Sequence, residues 1–220
     1  MNDYATGKAW KEAKQQHILE TAYELFSQKG IEQVSIPEIA TKSGVGRATV
    51  FRYFTTKLDL VIAIGTWKWE EYILEHDALL SEEEEEDLTG AELLEFYLDA
   101  FIDLYRNHAD LLRFNYNFNS FLRYEAKEES QKNSYMTMVD RLEERFHGLF
   151  LRGIWDGTLN PEYTEAMMFS SSFHIMLAAV TRYAVGLVYM PKVGTDAESE
   201  LLLLKEMLLD KFTRKKIWVH

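Results

Sequence analysis

Residues 35–54 read SIPEIATKSGVGRATVFRYF, and this stretch decides the fold. Ser35 opens a Ser-x-x-Glu capping box with Glu38, and Pro37 falls in the first turn, where its missing N–H costs no helical bond. Ser43-Gly44 ends that helix after about two turns, and another short helix follows over residues 46–53. Ile36, Ile39, Ala40, Val45 and Val50 are placed to hold the pair together; Ala40 is small where the helices cross, and Val45 plugs the turn. Two short helices joined by a three- or four-residue turn containing glycine make the helix-turn-helix pattern. That leaves Arg47, Thr49, Phe51, Arg52 and Tyr53 for a surface, a costly exposure unless something binds it. Taken alone, the spacing also fits a generic helical hairpin with ordinary surface charges.

The pattern stays helical in both directions. Upstream, Ile18, Ala22, Leu25 and Phe26 make one apolar stripe on a helix over about residues 8–29, and Gly30 follows as a left-handed terminator. Downstream, Thr56-x-x-Asp59 caps a helix over 57–80. The acidic run 82–87 reads as a solvated linker or the polar start of a helix, and Thr89-x-x-Glu92 caps the next helix, to about Asn107. A short helix and bend are expected over 108–119, a long helix over 120–152 and a loop over 153–160. Asn160-Pro161 then reads as an N-cap with proline at the first helical position, opening a helix to about Met190; Pro191–Gly194 breaks it, and a last helix covers about 196–214. With no repeat and no alternating pattern, the fold class is all-α, with about nine helices.

Composition narrows the chemistry. The 220 residues contain no cysteine, which excludes disulfides and thiolate metal sites, and the six histidines show no metal-binding spacing. No metal and no cofactor are therefore expected. The start lacks an apolar signal segment, and no run of about 18 apolar residues occurs, so the expected location is the cytoplasm, away from any membrane. The formal net charge of −12 argues at first against a nucleic-acid partner. The charge is unevenly spread: residues 1–66 carry a net +1 and residues 67–220 a net −13. A near-neutral head on an acidic body can still meet DNA through a local cluster of cations.

The ungapped stretch from Ile18 to Ile64, with its segments AYELFSQKGIEQVS, IPEIATKSGVGRATVFRYF and TKLDL, resembles the N-terminal domain of TetR-family regulators. The resemblance implies double-stranded DNA as partner and places roles residue by residue. Ser35 lies against the DNA backbone, since helix N-termini favour phosphate. Arg47 reaches a base edge, where a bidentate pair with guanine contributes roughly 1–3 kcal/mol of discrimination. Thr49 meets a thymine methyl or a phosphate, Arg52 and Tyr53 meet phosphate or base edges, and Lys57 is the family's phosphate-contacting lysine. Ala48 is small enough to let the recognition helix sit close in the groove. Phe51 stands where the family most often has tyrosine, so apolar contact replaces a phenolic hydrogen bond. Pro37 stands where some members carry a basic side chain, which puts base contacts from that helix in doubt.

The division expected is residues 1–56 for the helix-turn-helix DNA-binding domain and 57–220 for a helical effector-binding and dimerisation domain, with the helix over 57–80 linking the two. Such proteins bind as two-fold dimers, because one recognition helix buries too little surface to be specific. Leu201, Leu204, Leu208 and Phe212 give the last helix an apolar face too broad for one core contact, and small residues such as Ala178 allow close packing of the helix before it. They are the expected dimer residues; a monomeric core is the plain alternative. The resemblance further implies an effector cavity. Phe101, Tyr105, Phe114, Phe121, Trp155, Met168 and Phe173 would wall it, and Asn117 and His174 would orient a small, mostly apolar molecule. Each of these is, taken singly, an equally ordinary core residue. The reading is thus a ligand-responsive repressor on a palindromic operator. A DNA-binding dimer controlled by a protein partner is the alternative. An enzyme using the aromatic cavity lacks any nucleophile–base set.

Overall fold

The computed structural model describes residues 3–126, 133–186 and 196–214. Within them run ten helices: α1 (Asp3–Lys29), α2 (Ile36–Lys42), α3 (Arg47–Tyr53), α4 (Lys57–Asp77), α5 (Glu82–Asp87), α6 (Gly90–Asn107), α7 (Ala109–Glu125), α8 (Asn133–Trp155), α9 (Glu165–Ala184) and α10 (Ala197–Phe212). The described residues contain no strand, only an isolated bridge between Leu159 and Thr213. The chain is all-α, with an N-terminal helix-turn-helix.

Local chemistry sets most boundaries. Gly30 ends α1 with φ +84, a conformation that penalises any Cβ, and its N–H reaches the Phe26 carbonyl at 2.9 Å. Thr56 caps α4 reciprocally: its hydroxyl accepts from the Asp59 N–H at 3.0 Å, and its own N–H donates to Asp59 at 2.9 Å. Thr89 and Glu92 form the same box on α6. Each such cap stabilises its helix by about 0.5–2 kcal/mol.

Several boundaries differ from those read off the sequence. The acidic run is a helix in its own right, α5, because Ser81 and Glu84 form a capping box that places four carboxylates in the first turn. The interruption expected near residue 119 is absent, and α7 continues to Glu125. The Asn160 side chain is spent on a tight turn, accepting from the Glu162 N–H at 3.1 Å; α9 starts later, capped by Thr164. It ends at Ala184, and Gly186 follows with φ +73. The break expected at 191–194 lies outside the described residues.

Two compact units emerge. The first comprises Met1–Glu70 and Arg113–Thr137, the second Glu71–Leu112 and Met138–His220. They are drawn differently from a division at residue 56, since the first two thirds of α4 and most of α7 share a unit with the helix-turn-helix. In that unit Tyr23, Phe114 and Phe118 stack in sequence, and Phe118 fills the space a Cβ on Gly65 would need. The Trp69 indole donates to buried Asn115. In the second unit α6, α9 and α10 pack pairwise. Buried Lys205 of α10 pairs with Glu95 and Asp99 of α6, at 2.9 and 2.6 Å, so this charge is not left unpaired inside. Where α6 meets the end of α8, Gly90 and Gly153 touch backbone to backbone; a Cβ on Gly90 would lie 2.1 Å from the Gly153 Cα. The first N–H groups of α6 are satisfied across that contact, Gly90 by Asp156 and Ala91 by Thr158.

Candidate nucleic-acid interface

The helix-turn-helix is held from within by Ile36, Ile39, Ala40 and Val50, all buried, with Val45 half-buried in the turn. Gly44 takes φ +64 there, and the Val45 N–H reaches back to the Ala40 carbonyl at 3.0 Å. Ser35 caps α2, accepting from the Glu38 N–H at 3.3 Å. This packing leaves one side of α3 in solvent: Arg47, Ala48, Phe51 and Arg52 are exposed and Thr49 is half-buried.

Pairing decides which cations of this region are available. Lys29 is engaged with Glu38 at 2.6 Å, which holds the Glu38 carboxyl below its ordinary pKa, and Lys42 with Glu24 at 3.0 Å. Arg47 and Arg52 have no ion pair among the described residues. Each lies instead against a ring of its own helix, Arg47 over Phe51 and Arg52 over Tyr53, both 5.4 Å from the ring centroid. Cation–π contact orients a guanidinium without neutralising it. Phe51, 38% exposed, thus supports Arg47 besides offering an apolar face. The surface is chemically suited to a polyanion.

Two residues expected at this surface sit differently. The Tyr53 hydroxyl is buried and has no hydrogen-bond partner. The Lys57 ammonium is turned inward, donating to the Ile31 carbonyl at 2.6 Å between the rings of Phe26 and Phe121. Burial lowers its pKa below the usual lysine value, and the Glu32 and Glu125 carboxylates oppose that shift.

The residues expected around an effector are divided between the two units. Phe114, Asn117 and Phe121 belong to the first unit, where Phe114 is fully buried and the Asn117 amide donates to the Arg113 carbonyl. Phe101, Tyr105, Met168, Phe173 and His174 belong to the second, and Trp155 is 88% exposed. Within that second unit a partly open groove of about 600 Å³ runs between α8 and α9, lined by Phe173 and His174 with Glu143, Glu165 and Phe169. Glu143 and Glu165 had no sequence signal of their own, being ordinary surface types on amphipathic helices, whereas Phe169 belongs to the aromatic run of the middle helices. The expected dimer residues differ in exposure. Leu201, Leu208 and Phe212 face the interior of their own unit and Leu204 is half-buried, whereas Leu203 and Met207 are 55% and 58% exposed. On α9 the exposed apolar residues are Ala166, Met167, Ile175 and Ala178.

These features define a class, an all-helical protein presenting a helix-turn-helix with a cationic recognition helix. Residues 18–64 match the family of bacterial regulatory proteins, tetR family. The HTH-type transcriptional regulator AcrR of Shigella flexneri is 44% identical over 55 residues, 25% of this chain and 24% of the relative. An HTH-type transcriptional regulator of Staphylococcus aureus strain USA300 is 42% identical over 52 residues, 23% of this chain and 28% of the relative. The chain thus spans about a quarter of the length of the curated relatives it matches. Among solved structures, the FadR regulator of Bacillus subtilis in complex with stearoyl-CoA aligns with TM-score 0.65 at 19% identity, covering 88% of this chain and 97% of that one. A candidate transcriptional regulator from Saccharomonospora viridis, in complex with choline, aligns with TM-score 0.70 at 17% identity, covering 93% and 100%. Residues 18–64 thus form a tetR-family helix-turn-helix domain, and the solved structures share the fold of the rest of the chain. The named relatives are regulators, not enzymes. No described helix is long and apolar enough to cross a membrane.

Proposed function

We propose that this protein is a ligand-responsive transcriptional repressor that binds a palindromic DNA operator as a homodimer. The observation that carries the reading is the pair of guanidiniums on the exposed side of α3, oriented by their own helix and paired with no carboxylate among the described residues. Arg47 and Arg52 read base edges or phosphates, Thr49 and Phe51 add contact in the groove, and Ala48 permits close approach. Ser35 faces the backbone. Lys57 acts from behind, fastening the start of α4 to the corner between α1 and α2.

Two-fold pairing sets two recognition helices about 34–36 Å apart, one turn of DNA. The exposed residues Leu203 and Met207 of α10, with Ile175 and Ala178 of α9, supply the apolar surface for such pairing. A small effector in the second unit shifts the spacing by binding one form more tightly than the other. The complexes of structural neighbours with stearoyl-CoA and with choline support a small-molecule effector. Selection of bound sequences from a random DNA pool tests the reading: an enriched palindrome is expected, and a pool without enrichment overturns it.

A further inference from the structure

The groove between α8 and α9 carries information about what enters it. Its floor is aromatic: Phe169 and Phe173 stack with centroids 5.8 Å apart and planes tilted 27°, and His174 meets Phe173 edge-on. Behind this floor the rings continue inward, Phe169 against Phe146 and Phe146 against Tyr97. The Tyr97 hydroxyl at the end of that chain is buried with no hydrogen-bond partner, a polar group left without the bond that burial normally requires. Val139 and Ala166 complete the apolar lining.

The charged groups on the walls are of one sign. Glu143 of α8 and Glu165 at the start of α9 line the groove, and no lysine or arginine does among the described residues. Glu165 is held by His147 at 3.0 Å, while Glu143 makes no ion pair among the described residues. A carboxylate or phosphate ligand would enter against two carboxylates, with no lysine or arginine among the described lining residues to neutralise it. A neutral apolar ligand would use the rings and leave the carboxylates idle. A cation with an apolar body uses both, since ring faces and carboxylates each attract positive charge. The volume, about 600 Å³, is that of a site for a drug-sized molecule.

We infer that the effector of this regulator is an organic cation with an aromatic or otherwise bulky apolar body, seated in the α8–α9 groove with its charge toward Glu143 and Glu165. This rests on the ligand-responsive reading above and specifies its ligand. Phe169 and Phe173 hold the apolar body by stacking. The unpaired Tyr97 hydroxyl offers a polar contact to a ligand deep enough to part those rings.

The test uses three ligands of similar shape and different charge: tetraphenylphosphonium, neutral triphenylphosphine oxide and anionic tetraphenylborate. Isothermal titration calorimetry on the full chain should give one site per chain for the cation, about tenfold tighter than for the neutral compound, with the anion weaker still. The double substitution Glu143→Gln and Glu165→Gln should weaken the cation about tenfold and leave the neutral ligand unchanged; Phe173→Leu should weaken both. Should the double variant fold poorly, Glu143→Gln alone carries the test, because that side chain is exposed and makes no ion pair among the described residues. Equal affinity for all three ligands, or a cation affinity untouched by Glu143→Gln, overturns the inference. Operator binding measured without ligand separates the two readings: intact DNA binding with no charge preference sinks only the cation site. Failure to select an operator sinks only the repressor.

Discussion

Two surfaces of this molecule are built from the same materials with the charge reversed. On α3, Arg47 and Arg52 lie against Phe51 and Tyr53. In the α8–α9 groove, Glu143 and Glu165 border Phe169 and Phe173. In both regions internal pairing decides which charges remain for a partner. Around the helix-turn-helix, Lys29 and Lys42 are spent on Glu38 and Glu24, and the two arginines are left over. In the body, Lys205 is spent on Glu95 and Asp99, Arg106 on Glu198 and Arg145 on Asp77, and Glu143 is one of the carboxylates left over among the described residues. The formal net charge of −12 describes neither surface. What a charged protein binds follows from the charges it has not already paired.

That contrast breaks most visibly at the arginines. Replacing both Arg47 and Arg52 by Ala should weaken binding to the selected operator at least about thirtyfold, since each base contact contributes roughly 1–3 kcal/mol. Both side chains are exposed, so the thermal midpoint should stay where it was. Operator affinity within threefold of the parent, read by fluorescence anisotropy, would mean that α3 is not the reading surface.

The body is sharpened by two substitutions on one helix. Leu208→Ala, in the core of the protomer, should cost about 2–5 kcal/mol of stability by denaturant unfolding. Met207→Glu, on the exposed side, should leave the protomer folded and shift it from dimer to monomer in sedimentation, most fully when combined with Leu203→Glu. A dimer that survives the double charge would place the pairing surface elsewhere.

The smallest effect belongs to Lys57. Lys57→Met keeps the aliphatic stem between Phe26 and Phe121 and leaves the Ile31 carbonyl without its donor, a loss of about 1 kcal/mol. With the ammonium held inward, the salt dependence of operator binding should be unchanged. A slope reduced by about one would instead place it on a phosphate when DNA is bound.

Much of the helix-turn-helix was legible because its signals act over a few residues. Ser35, Gly44 and Thr56 mark caps and a turn whose chemistry is complete within one helical turn, and Gly30 needs only its own dihedral. The start of α9 was harder, because Asn160 and Thr164 are both capping residues and only the turn between them decides which one is used. The apolar side of α10 was harder again. Leu201, Leu203, Leu204, Met207 and Leu208 run almost all the way round the helix, so periodicity cannot tell the buried stripe from the exposed one.

The sequence by itself determined the helical class, the helix-turn-helix and the residues offered on α3, since these depend on hydrogen bonds and backbone preferences between near neighbours. Tertiary structure alone decided that Leu208 turns inward while Met207 turns out, that Lys57 points at Ile31, and that Glu143 borders two rings with no ion pair among the described residues. Each of those outcomes depends on which distant side chains remove water from a group or pair its charge, and no local pattern records that.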